Sequence, residues 1–117
     1  MVLHHVLPEN LHNILDEISR IIKPGGLLII REHNIGDNRL DRYLIDVLHE
    51  YHDIVLNPKE ENKWVGEENK EINNYNTEEY WAKKIIERNF EYVSKPTIRK
   101  DINKNPFNNF IAGFKKL

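Results

Sequence analysis

The sequence predicts an α/β fold, a small sheet with helices packed on it. Three patterns carry that reading. Leu11, Ile14, Leu15, Ile18, Ile21 and Ile22 fall on one helical stripe. Pro24-Gly25-Gly26 leads straight into the apolar run Leu27-Leu28-Ile29-Ile30, as a strand does when it enters from a tight turn. Near the end of the chain, Phe110, Ala112 and Phe114 alternate with other residues, which puts three apolar side chains on one face of a strand.

Taken in order, Met1 to Leu3 reads as the end of a buried strand, stopped by Pro8-Glu9-Asn10. The first helix follows, with Asn10 as its cap, Lys23 at its negative end and Pro24 closing it. The strand after the glycine pair is apolar at four successive positions, so it is expected to be covered by helices on both faces. It ends in the charged triplet Arg31-Glu32-His33. A second helix spans about residues 38–53, with Leu40, Tyr43, Leu44, Val47, Leu48 and Tyr51 as its stripe. Residues 57–76 are densely charged, contain Pro58 and Gly66, and read as a long loop or lid around Trp64 and Tyr75.

Thr77 caps a third helix with Glu78 and Glu79 in its first turn; Trp81, Ala82, Ile85 and Ile86 are expected to face inward. Asn89 reads as a left-handed stop and residues 90–94 as a strand. Residues 95–106 form a turn-rich connection, and 109–114 the last strand.

Composition narrows the function classes. At 117 residues the chain makes one domain, 1–117, and no second one. Seventeen Lys and Arg against nineteen Asp and Glu leave a net charge of −2, so no global basic field draws nucleic acid. RNA is therefore not indicated as a partner, although Lys95, Arg99, Lys100, Lys104, Lys115 and Lys116 make the last quarter basic. Such a scatter is also what a solvated face looks like. The absence of cysteine excludes disulfides, thiolate metal sites and a catalytic thiol. The apolar runs are too short for a membrane span or a signal peptide, and a cytoplasmic location is expected.

Val2-Leu3-His4-His5, then a helix, then Ile21-Ile22-Lys23-Pro24-Gly25-Gly26-Leu27-Leu28-Ile29-Ile30-Arg31-Glu32-His33, resembles the second half of a class I S-adenosylmethionine-dependent methyltransferase. Asn89-Phe90 resembles the family's Gly-Phe step, and Asn105-Pro106-Phe107 running into Phe110 to Lys115 resembles its last strand. The family's Rossmann-like sheet has strand order 3-2-1-4-5-7-6 with the seventh antiparallel. The resemblance implies a partial sheet here, strands 4-5-7-6, flanked by helices, with Met1–Leu3 as the stub of the fourth.

Two of the family's parts are missing from these residues. No Gly-x-Gly-x-x-Gly occurs, and no strand carries the acidic residue that grips the cofactor's ribose. The chain therefore reads as a fragment of a longer methyltransferase, a truncated product, or one partner of a split enzyme. S-adenosylmethionine is implied only for the complete domain.

The resemblance assigns candidate roles. Val2, Leu3 and His4 would lie beside the cofactor. His4, His5, Glu32 and His33, at two adjacent strand ends, would orient the acceptor and take its proton. Arg31 would meet an anionic substrate and Tyr75 would stand at the substrate entrance. Each has a plainer alternative: packing for the histidines and Tyr75, a salt bridge or helix cap for Glu32 and His33, and pairing with Asp37 or Asp41 for Arg31.

No metal is expected, although the adjacent strand ends could gather His4, His5, Glu32 and His33. His49 and His52 are three apart, whereas the His-Glu-x-x-His zinc motif needs a spacing of four. They read as surface side chains, and methyl transfer from a sulfonium needs no metal.

Two functions are carried forward. One is the C-terminal portion of a methyltransferase acting on an N or O nucleophile, inactive alone. The other is a non-catalytic subunit or methyltransferase-like interaction module. In both, the sheet lacks part of its cover, so a missing N-terminal half, a companion chain or a second copy is expected on it.

Overall fold

The computed structural model describes residues 3–51, 74–98 and 108–117. The described residues form a small α/β structure with three α-helices and a three-stranded sheet. Met1, Val2, His52, Trp64, Arg99, Lys100 and Lys104, and the loop positions 57–73, lie outside the described residues.

Leu3–His5 forms a single 3-10 turn, closed by Val6 N–H on Leu3 C=O at 3.1 Å. This corrects the expected strand end at Leu3, whose N–H is held by a side chain and not by a neighbouring strand. Helix α1 runs Pro8–Ile21. Pro8 occupies its first turn, where a missing N–H breaks no helical bond. Asn10 is thus inside the helix and not its cap, the position before the proline being Leu7. Leu11 and Leu15 are buried, and Ile18 and Ile22 pack beside them.

The glycine pair then turns the chain. Gly25 has φ +84°, a conformation a Cβ disfavours. A Cβ on Gly26 would stand 2.8 Å from both the Lys23 carbonyl oxygen and Ile22 Cγ2. Gly25 N–H donates to Lys116 C=O, and Lys116 N–H to Gly26 C=O, both at 2.8 Å. The turn is thereby fastened to the far end of the last strand.

Strand β1 runs Leu27–His33. Its inner face carries Leu28, Ile30 and Glu32. Its other face is open: Leu27 is 62% exposed and Ile29 71%. The expectation of helices on both faces fails here, because α1 and α3 share one side of the sheet.

Helix α2, Arg39–Tyr51, is capped by Asn38, whose Oδ1 accepts from the N–H groups of Leu40 and Asp41 at 3.0 and 3.3 Å. Ile45 is buried against Ile35 and Tyr75, with Leu48 beside them. Most of the predicted stripe (Leu40, Tyr43, Leu44, Val47 and Tyr51) is exposed.

Helix α3 is Glu78–Ile86, and the Thr77 hydroxyl accepts from Tyr80 N–H as the sequence predicts. Replacing Thr77 by alanine is expected to cost about 1 kcal/mol in a urea titration. Trp81, Ala82 and Ile85 are buried; Ile86 turns outward. Asn89 takes φ 63° and ends the segment.

Strand β2 runs Phe90–Ile98 and β3 Asn109–Lys116. β2 is longer than the sequence predicts and continues through Pro96; an edge strand tolerates a proline. The sheet order is β1-β3-β2, with β3 antiparallel to both neighbours. Glu32 pairs with Phe110, Ile30 with Ala112 and Leu28 with Phe114, so these six residues share one face. Phe110, Ala112 and Phe114 are buried there, under α1 and α3. No helix among the described residues is long and apolar enough to cross a membrane.

Candidate functional site

Four segments converge at the C-terminal end of β1. Asn34 N–H donates to Asn108 C=O (2.7 Å), Ile35 N–H to Asn76 C=O (3.1 Å) and Asn74 N–H to His4 C=O (2.6 Å). These bonds draw the 3-10 turn, the end of β1, the approach to α3 and the start of β3 together. Asn34 Oδ1 also accepts from Glu78 N–H at 2.9 Å, which anchors α3 to the same point.

Glu32 is the hub. Alternation along β1 turns it inward, where it is 1% exposed. Its Oε1 accepts from Leu3 N–H at 2.8 Å, and its Oε2 lies 2.7 Å from His4 Nδ1. A carboxylate only accepts, so Nδ1 carries a proton, and in the neutral imidazole Nε2 then keeps the lone pair. His4 is 2% exposed. Its Nε2 is buried with no hydrogen-bond partner among the described residues.

His33 follows Glu32 at the strand end and is also buried. Its ring lies edge-on to His4, centroids 4.8 Å apart. His5 stands on the exposed side, its ring centred 3.9 Å from that of His4. The third wall comes from α2 and the segment before α3. Tyr75 is buried; its hydroxyl donates to Asp46 Oδ1 at 2.9 Å and lies 2.8 Å from His49 Nδ1. The His49 ring is 5.5 Å from His4 and 5.2 Å from His33.

The structure therefore brings His4, His5, Glu32, His33 and Tyr75 together. Arg31 is exposed on the same face of β1 as His33; only His33, at the strand end, is buried there. Leu3 adjoins the site through the N–H that Glu32 occupies. Val2 lies outside the described residues.

His49 and Asp46 are site residues that the sequence reading missed. His49 is half-buried and faces the cluster, contrary to its reading as a surface residue. They sit three apart on α2, on the side of that helix facing Tyr75. The available signal was a helix carrying a second, polar stripe opposite its apolar one.

A second buried carboxylate, Glu78, accepts from the Tyr92 hydroxyl. Burial, followed by that carboxylate, pushes the Tyr92 phenol well above its ordinary range. This pair ties α3 to β2.

Chemically, the site is a pocket wall of imidazoles backed by carboxylates on two sides. It can accept protons, orient a polar ligand, or hold a cation. Comparison with protein-family models and with curated protein sequences gave no match.

Proposed function

We propose that this chain is the acceptor-side portion of an S-adenosylmethionine-dependent methyltransferase, acting on an N or O nucleophile and inactive without a donor-binding part. The observation that carries the reading is the sheet order β1-β3-β2, with the middle strand antiparallel to two strands that run together. That is the arrangement of the family's strands five, seven and six, in a Rossmann-like sheet entered from the Lys23-Pro24-Gly25-Gly26 turn. Two further features support it. The histidines and Glu32 lie at the C-terminal end of β1, the edge at which open α/β sheets take ligands. The opposite face of the sheet exposes Leu27, Ile29 and Ile111, where the family packs its second helical layer.

On this reading the chain by itself does not make the donor site. There is no glycine-rich loop, and the Leu3 N–H that would face the donor is bonded to Glu32. The part left to this chain is to hold the acceptor and receive its proton. His4, oriented by Glu32, and His33 beside it are the groups for that. Tyr75 positions the wall opposite.

Calorimetry of this chain with S-adenosylmethionine is expected to show no binding. The protein extended by whatever sequence is encoded upstream is expected to bind it and to release labelled methyl to an acceptor. Tight binding by the chain alone would refute the division of labour.

The second reading is a non-catalytic module that docks on a partner through exposed apolar side chains. The exposed apolar side chains of α2, Leu40, Tyr43 and Val47, favour it. In that case the occupant is a companion chain or a second copy. Light scattering distinguishes the two: a stable dimer that persists in the upstream-extended protein supports the module, and a monomer once extended supports the enzyme.

A further inference from the structure

His4, His33 and His49 come from three different elements, the 3-10 turn, β1 and α2. Each offers one ring nitrogen, and those nitrogens all lie within 4.8 Å of one another. Three imidazoles converging this closely, two of them buried, is the donor set of a borderline divalent ion. We propose that they form a binding site for a divalent transition metal, with zinc the best match.

The surroundings argue for it. His4 Nδ1 is engaged by the buried carboxylate of Glu32 at 2.7 Å, the carboxylate–histidine pairing that fixes the tautomer and raises the basicity of a metal-bound imidazole. That leaves Nε2 as the ligand atom. It is the same atom that is buried with no hydrogen-bond partner among the described residues, a state that costs free energy and that a metal relieves. His49 is oriented in a comparable way through Nδ1 by the Tyr75 hydroxyl, itself tied to Asp46. Two carboxylates thus stand behind three neutral ligands.

Nitrogens bound at about 2.0 Å to one tetrahedral ion are about 3.3 Å apart, so the widest pair must draw in by about 1.5 Å. Small rotations of the three rings about χ1 and χ2 supply that movement. Among the described residues the three imidazoles leave a fourth tetrahedral position to be filled. Three protein ligands with one position open is the form of a catalytic and not a structural zinc site. The position suits water or an oxygen or nitrogen of a bound ligand.

The proposal is tested on this chain alone and does not need the methyltransferase reading; with an ion bound, His4 Nε2 is a ligand and no longer takes the acceptor's proton. Cobalt(II) serves as the spectroscopic probe. It is expected to bind the intact chain one to one, to give the visible bands of a nitrogen-ligated low-coordinate ion, and to be displaced by Zn2+. His49→Ala, the least buried of the three, is expected to weaken binding by at least about tenfold, and Tyr75→Phe by about tenfold. His12→Ala, an exposed position on α1, is expected to leave binding unchanged. X-ray absorption of the zinc-loaded wild-type chain, which needs no variant, is expected to show three imidazole nitrogens at about 2.0 Å. The proposal is overturned if equimolar cobalt gives no bands, if the bands survive His49→Ala unchanged, or if absorption shows fewer than two imidazoles on the ion.

Discussion

Glu32→Ala is expected to lower the stability of the chain by about 3 kcal/mol and to release its N-terminal turn. The reasoning is local. One carboxylate accepts from the Leu3 backbone and from His4; the carboxylate and His4 are buried, and the Leu3 N–H is partly so. Truncation strands both donors together and leaves a void between β1 and the turn. Glu32→Gln keeps one acceptor oxygen and the volume, so it is expected to lose about half as much. Urea titrations of the three proteins give the energies. The His4 and His33 ring resonances report the release directly, broadening in the alanine variant before global unfolding. A Glu32→Ala protein as stable as the parent would show that the carboxylate does not hold the turn.

The second large effect is expected at Trp81. Its side chain is completely buried at the centre of the cluster formed by α1, α3 and the sheet. Trp81→Ala is expected to cost about 3–5 kcal/mol, a large fraction of the 5–15 kcal/mol that holds a typical domain. The indole N–H has no hydrogen-bond partner among the described residues, so nothing polar is gained by keeping it. Trp81→Phe is therefore expected to cost markedly less than the alanine change, the lost packing being partly offset by removal of a buried, unpaired donor. Circular dichroism melts of the two variants test both statements. Equal losses would mean that the N–H is satisfied in solution.

Much of the fold could be read from residue spacing. The glycine turn, the Thr77 cap, the Asn89 stop and the Phe110-Ala112-Phe114 alternation are all local signals, and the structure has them where the spacing predicts; of the α1 stripe, Leu11, Leu15, Ile18 and Ile22 pack on the core, while Ile14 and Ile21 are exposed. The failures have physical causes. Leu27-Leu28-Ile29-Ile30 looks doubly buried because its outward residues are apolar too, but hydrophobicity does not reveal whether a cover is present. The α2 stripe misled in the same way. Asn10 loses the cap position because Pro8 starts the helix earlier.

At the site, Glu32 and His33 could be placed beside His4 and His5 through the family resemblance, since both pairs end adjacent segments. His49 could not. Its partners lie in other elements, and motif spacing within one helix is silent about ligands assembled from three.

β2 carries two register irregularities against β3, between Tyr92 and Ser94 and between Ser94 and Thr97, whereas β1 pairs with β3 without interruption from Leu27 to His33. The two outer margins of the sheet are therefore unequal. Irregular backbone and a proline spoil one of them as a template for a further chain, and the other keeps an even ladder of amide groups beside apolar side chains. Should this chain polymerise, growth is expected to be one-sided, and a lysine or proline placed in β1 should arrest it where the same change in β2 would not.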